Sequence, residues 1–485
     1  MTGQMTYAKH FINGEWKDGS SDKTIENVNP FSGELLFKIR SADPHDLDEA
    51  YSAAKNTQKK WEQTLPGERR AVLEKVAQGL SDRKEEIISW LIKEAGSTAI
   101  KAEAEWAAAL NIVKEAASFP FRMEGKILPS AIPGKENRVY RTPKGVVGVI
   151  GPWNFPLHLA MRSVAPAIAT GNTVVLKPSS DAMVTSGFLI ADLFEKAELP
   201  KGVLNVVAGR GSEIGDEFVL HSVPKVISFT GSTDVGKHIA GLAAKGLKET
   251  ALELGGNNVM VVLEDADLEQ AANAAIFGKF LHQGQICMAL NRIIVVDEIY
   301  DAFAEKFVEK AKKIIAGDPG EAETAVGPLI NEKALERIQK DVEDSLEMGA
   351  KLLVSGKASG NVLHPIVLGE VTNDMPIAQK EIFGPVAPLI RAKDEADAIA
   401  IANDSEYGLS GSVFSGDVQR GVRAAKEIET GMIHINDQSV NDEAHVAFGG
   451  EKHSGIGRFG GEWAIEKFTT VKWIGVMEEP RKYPF

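Results

Sequence analysis

From residue 145 to residue 263 the chain alternates short apolar, β-branched runs with amphipathic stretches. Strand-like runs fall at 146–150, 173–176, 203–207, 226–229 and 259–263, and helical spacing fills 184–196, 212–220 and 235–244. Strands that alternate with helices build a parallel sheet covered by those helices, since a parallel neighbour is reached only through a long crossover. Ligands of such sheets bind outside the carboxyl ends of the strands.

A chain of 485 residues exceeds what one hydrophobic core usually supports, so at least two domains are expected. Residues 11–40 read as short strands with turns at Asn13-Gly14 and Asn29-Pro30. Residues 46 to about 119 read as helical: Leu47, Ala50, Tyr51 and Ala54 share one face, as do Leu73, Val76, Ala77 and Leu80. Pro120, Pro129, Pro133 and Gly134 break that pattern, and residues 138–143 suit an extended arm. A second α/β block follows residue 287, with amphipathic helices at 300–315 and 332–347 and strands at 387–390 and 432–435. The tail from about 471 to 485 carries Trp473, Tyr483 and Phe485, a composition that favours docking on a neighbouring surface.

Charge excludes some partners. Lys plus Arg number 54 against 68 for Asp plus Glu, a net charge of −14, which argues against nucleic acid or an anionic membrane. Residues 1–9 lack the apolar core of a signal peptide. The uncharged run 145–161 is interrupted by Pro152, Asn154, Pro156 and His158, so it does not read as a membrane helix. A cytoplasmic location is expected. The ten histidines contain no His-Glu-x-x-His pair, and no metal is expected.

Chemistry concentrates at a few places. Cys287 is the only cysteine, which rules out an intramolecular disulfide and a cysteine-based metal site. It stands in Gly284-Gln285-Ile286-Cys287-Met288, downstream of Leu252-Glu253-Leu254-Gly255-Gly256-Asn257. One thiol and one partly desolvated carboxylate suggest a nucleophile and a general base. Taken singly, Cys287 is equally a small buried hydrophobe, Glu253 a surface acid on a strand edge and Asn154 a turn amide. The run ending at Phe229 continues into Thr230-Gly231-Ser232-Thr233-Asp234-Val235-Gly236, where Gly231 allows a tight turn, Ser232 or Thr233 can cap a helix, and free N–H groups face an anion. It is not the G-x-G-x-x-G fingerprint. Lys177-Pro178-Ser179-Ser180 ends another strand of the same sheet, and a lysine there can reach a ribose or a phosphate.

Together these pieces resemble the aldehyde dehydrogenase superfamily. Pro152-Trp153-Asn154-Phe155-Pro156, Lys177-Pro178-Ser179, Phe229-Thr230-Gly231-Ser232, Glu253-Leu254-Gly255-Gly256-Asn257, Gly284-Gln285-Ile286-Cys287, Glu381-Ile382-Phe383-Gly384-Pro385, Phe448-Gly449-Gly450 and Ser454-Gly455 occur in the family's order over nearly the whole chain. The resemblance implies an α/β fold with a Rossmann-like cofactor domain (1–124 and 144–254), an α/β catalytic domain (255–470) and a small β oligomerisation arm and tail (125–143 and 471–485). It implies that Cys287 attacks the aldehyde carbonyl, that the Asn154 amide and the Cys287 N–H form an oxyanion hole, and that Glu253 activates water against the thioester. It further implies that Lys177 and Ser180 face the adenosine ribose and that Gly231, Ser232 and Gly236 form the pyrophosphate turn. Glu381, Phe383 and Trp153 would lie near the nicotinamide end. A homodimer or homotetramer acting on a small-molecule aldehyde is expected.

One position departs from the family. Ser180 stands where NAD-preferring members often carry a glutamate, and without that carboxylate a 2′-phosphate is not repelled. NAD is ranked first, with NADP close behind. For the substrate, Phe155, Leu157, Met161, Ile286, Met288 and Phe448 are expected to line an apolar tunnel, with plain core packing as the competing reading for some of them. His434-Ile435-Asn436-Asp437-Gln438-Ser439-Val440-Asn441-Asp442-Glu443 resembles the benzaldehyde and vanillin branch, as do Gly455-Ile456-Gly457-Arg458-Phe459-Gly460 and Trp463. An aromatic aldehyde is therefore expected. No arginine in these motifs reads as a clamp for an anionic substrate. A broad aliphatic aldehyde dehydrogenase, an acylating enzyme, a thiol esterase and a non-catalytic binding protein on the same fold remain as rivals.

Overall fold

The computed structural model describes residues 6–485. Five parallel strands form the middle of an eight-stranded sheet, in the spatial order Leu204–Val206, Thr173–Lys177, Val146–Ile150, Val226–Thr230, Glu249–Glu253. Numbered along the chain this is 3-2-1-4-5. The connections therefore reverse between Val146–Ile150 and Val226–Thr230, and a crevice opens at their carboxyl ends. The Val- and Ile-rich strands are buried on both faces, as a helix-covered parallel sheet requires.

The strand Glu249–Glu253 is one that the sequence pattern does not announce. Its Glu-Thr-Ala-Leu-Glu has charged ends and one β-branched residue, yet it pairs residue for residue with Val226–Thr230. Its outer neighbour, the antiparallel Gly455–Ile456, comes from far along the chain, and the Leu254 N–H donates to the Ser454 carbonyl at 2.9 Å. His10–Ile12 and Glu15–Lys17 close the opposite edge.

The helical reading of residues 46–119 resolves into four helices: Pro44–Glu62, Pro66–Asp82, Lys84–Ala95 and Ala99–Ala116. Capping explains the breaks. Asp43 accepts from the His45 and Asp46 N–H groups in a capping box, Gly96 ends the third helix at φ 63°, and the Thr98 side chain accepts from the Lys101 N–H to start the fourth. Pro156–Ala169, buried along its whole length, packs among them.

A second, seven-stranded sheet runs Lys351–Val354, Ile366–Val371, Val386–Ala392, Leu290–Val296, Asn258–Val262, Gly411–Phe414, His434–Ile435, and is parallel except at its first pair. In the tail, Thr469–Met477 pairs antiparallel with Lys135–Pro143 of the same chain, which also pairs with Lys126–Leu128. This ribbon leaves Ile127, Tyr140, Val471, Trp473 and Ile474 exposed. Among the described residues, no helix is long and apolar enough to cross a membrane.

Candidate active site

Cys287 follows an unusual turn. His282, Gln283 and Gly284 have consecutive left-handed backbones, φ 50°, 57° and 75°, two of them on residues for which this conformation costs about 1–2 kcal/mol each. Side chains hold the turn in place. Gln283 donates to the Pro328 carbonyl at 2.8 Å and accepts from the Gly327 N–H at 3.0 Å, while Gln285 accepts from the Ile330 N–H at 3.0 Å. Asn258 donates to the Cys287 carbonyl at 2.7 Å and to that of Ala289 at 2.8 Å. The segment is thus anchored to both its neighbours, and the thiol projects from a fixed backbone.

Glycines allow other backbone to approach it. A β-carbon at Gly256 would lie 2.3 Å from the Cys287 carbonyl oxygen, and one at Gly255 would lie 2.7 Å from a Glu381 carboxylate oxygen. The Gly256 N–H instead donates to Glu381 at 3.0 Å. Burial pushes Glu381 up to about 7, with that hydrogen bond opposing.

Glu253 ends its strand fully inside the protein, with neither carboxylate oxygen hydrogen-bonded. Burial pushes it up to about 8, with Arg162 opposing. Cys287 keeps part of its surface open, yet burial pushes its thiol up to about 12; Arg162 opposes, while Glu381, Glu253 and Asp442 add to the rise. At neutral pH the thiol is protonated and the carboxyl largely so. Asn154 is buried beside the same turn and donates its amide to the Gln285 carbonyl at 3.1 Å, which leaves its second amide N–H for another acceptor.

Two environments meet at the thiol. On one side a cleft of about 900 Å³ lies at the strand ends, where Trp153, Asn154, Lys177, Ser180, Gly231, Ser232, Glu381 and Phe383 all reach it. On the other side Ile286, Met288, Leu409 and Phe448 form an apolar cluster with Phe155 against it. Among the described residues, Cys287 is the one common to both.

The cleft has the donors that a dinucleotide needs. The helix Thr233–Ala244 starts at Ser232 without a side-chain cap: the exposed Ser232 makes none, and Thr233 donates instead to the His453 carbonyl at 3.1 Å. Neither expected cap forms, so the first N–H groups of the helix stay available to an anion. Lys177 is buried, contacts only the Pro178 carbonyl at 3.3 Å, and is pushed down to about 8 by burial. Trp153 meets Phe383 edge-on at 5.5 Å. An uncapped helix start beside a buried lysine in one cleft suits a phosphate-bearing ligand such as a dinucleotide.

Three expected residues stand elsewhere. Gly236 does not line the cleft; a β-carbon there would be 2.3 Å from Leu254, so this glycine lets the helix sit on the strand end. Leu157 and Met161 are fully buried in the helical core rather than in the cluster with Cys287, because Pro156–Ala169 is covered on every face.

The sequence reading missed Arg162. This buried guanidinium lies 3.8 Å over the Phe448 ring and pairs with Asp442, which also takes a 3.2 Å contact from His158. Its Nε and one Nη are buried without partners. Burial pushes His158 down to about 4, so at neutral pH the ring beside Asp442 is neutral. The clue was an arginine inside an otherwise uncharged run, four residues after His158 and so on the same helix face. Lys279 was missed as well: it is buried with an unpartnered amine, and burial pushes it down to about 7 against the opposing charge of Glu381.

The aldehyde dehydrogenase family model matches residues 16–474. The chain belongs to this family. It is 53% identical over 470 residues to a vanillin dehydrogenase of Corynebacterium glutamicum, covering 96% of this chain and 97% of that protein. It is 50% identical over 477 residues to a benzaldehyde dehydrogenase of Bacillus subtilis, covering 98% of each. The crystal structure of an NAD-dependent benzaldehyde dehydrogenase from Corynebacterium glutamicum superposes with a TM-score of 0.91 at 49% identity, over 99% of this chain and 98% of that one.

Proposed function

We propose that this protein oxidises an aromatic aldehyde to its carboxylic acid with NAD, and with NADP as a second cofactor. The observation that carries the reading is Cys287 at the junction of the polar cleft and the apolar cluster, within electrostatic reach of a buried, unpartnered Glu253. The apolar cluster takes the ring of the substrate and presents its carbonyl carbon to the sulfur; as the C–S bond forms, the S–H proton leaves to water in the cleft that Cys287 lines and the carbonyl π pair moves onto oxygen. The Asn154 amide and the Cys287 N–H donate to the oxygen that becomes negative. A nicotinamide held in the cleft would accept the hydride from the former carbonyl carbon, and Cys287 would then carry a thioester. Glu253 then takes a proton from water, whose oxygen attacks the thioester and frees the acid.

The relatives named for vanillin and benzaldehyde and the aromatic side chains Phe155 and Phe448 beside the thiol support the substrate class. The test is reduced-cofactor formation with benzaldehyde, vanillin and hexanal, each with NAD and NADP. Benzaldehyde and vanillin should exceed hexanal in kcat/KM, and hexanal matching them would overturn the aromatic assignment alone.

Ser180 lines the cleft and carries no charge to repel a 2′-phosphate. Ser180→Glu should lower kcat/KM for NADP at least about tenfold by charge repulsion and leave that for NAD within about threefold. Equal losses with both cofactors would remove Ser180 from cofactor choice. The two large sheets and the ribbon support a division at residues 1–124 and 144–254, 255–470, and 125–143 with 471–485, with the edge strand Gly455–Ile456 returning to the first sheet. The exposed apolar side chains of the ribbon support association into a dimer or tetramer, and the absence of a membrane-crossing helix among the described residues agrees with a cytoplasmic enzyme.

A further inference from the structure

Beneath Asn154 lies a buried ion pair that the chemistry above does not use. Lys101 and Glu105 stand one turn apart on the helix Ala99–Ala116, both with fully covered side chains. The Lys101 ammonium donates to Glu105 at 2.5 Å, to the Ser97 hydroxyl at 2.9 Å and to the backbone carbonyl of Asn154 at 2.6 Å. It also sits 4.2 Å over the Phe155 ring. All three of its N–H donors are therefore used, and two of its four contacts fall on the Asn154-Phe155 dipeptide.

Glu105 grips the next residues of the same segment. Its other oxygen accepts from the Leu157 N–H at 2.9 Å and the His158 N–H at 3.3 Å. These belong to the first turn of Pro156–Ala169, whose N-cap, Phe155, offers no side-chain cap. A carboxylate on another helix thus performs the capping. Burying two charges for stability alone is a poor bargain, since a packed apolar pair is often as stable.

We propose that Lys101, held by Glu105, is a positioning residue for the oxyanion hole. By fixing the Asn154 carbonyl it fixes the peptide plane that follows, and with it the direction of the Asn154 amide toward the Cys287 turn. This rests on the reading of Asn154 as the oxyanion donor. Phe155 precedes a proline and is thereby kept out of the helical region, so the backbone here has few alternatives once the carbonyl is pinned.

A double-mutant cycle on the full-length protein tests it. Asn154→Ala alone should lower kcat about 10²–10³-fold. Lys101→Met should lower kcat about tenfold or more, with the KM for cofactor and the rate of Cys287 alkylation unchanged. In the Asn154→Ala background, Lys101→Met should cost less than about twofold more, because there is no amide left to direct. Lys101→Arg should restore part of kcat. Should Lys101→Met not fold, Lys101→Met with Glu105→Gln keeps the acceptor for the Leu157 N–H, removes both charges and enters the same cycle. Losses that multiply in the double variant would overturn the proposal and leave the oxyanion reading intact. A harmless Asn154→Ala would overturn both.

Discussion

Replacing Cys287 with alanine is expected to abolish cofactor reduction by about 10⁴-fold or more with every aldehyde, while cofactor affinity stays within about twofold. The chain holds no second cysteine to take over, and among the described residues Cys287 is the one shared by the polar cleft and the apolar cluster. Cofactor affinity survives because the anion-facing helix start and Lys177 lie in other parts of the cleft. Stopped-flow absorbance of the reduced cofactor measures the first quantity and quenching of the protein's tryptophan fluorescence the second. Residual turnover above one hundredth of the wild-type rate would move the nucleophile elsewhere.

Glu253→Gln is expected to divide the reaction. The first turnover should still yield reduced cofactor, as a burst matched to the number of sites, while the steady state falls about 10²–10⁴-fold through loss of the base. The pH dependence follows from burial. Burial pushes Glu253 up to about 8, so below that pH the carboxyl holds its proton and cannot take one from water. Wild-type steady-state turnover should therefore rise with pH through about 8, and this limb should vanish in the glutamine variant. A variant that hydrolyses its thioester at the wild-type rate would show that Glu253 is not the base.

The same shift affects stability, with a definite sign. A carboxyl whose pKa is raised by folding favours the folded state below its unfolded pKa of about 4.3 and loses that contribution as pH rises through about 8. Glutamine has no proton to lose. The melting temperature of Glu253→Gln minus that of wild type should consequently grow more positive from pH 5 to pH 8.5, by an amount on the order of a few kcal/mol in free energy. A flat difference would mean that Glu253 meets water in solution.

What the sequence disclosed was what short-range pattern can carry. The alternation after residue 145 marked four of the five parallel strands of the first sheet, because apolar β-branched runs between helical stretches admit few other structures. It missed Glu249–Glu253, whose ends are charged and whose burial is decided by strands on either side. The thiol, the acid and the amide stood out through their neighbours in sequence. Arg162, Asp442, Lys101 and Glu105 did not, since each matters through a partner that is close only after folding, as Arg162 and Asp442 are across 280 positions. Leu157 and Met161 erred the other way: apolar residues beside a reactive motif look like a pocket until the helix bearing them proves to be buried all round.

The strand Gly455–Ile456 has a consequence for biosynthesis. It is laid against Leu252 and Glu253, some two hundred residues earlier in the chain. As the protein leaves the ribosome from its N-terminus, the edge beside Glu253 stays open until this later segment emerges. The nascent chain is thus expected to close the edge beside Glu253 only after residue 456 has left the ribosome.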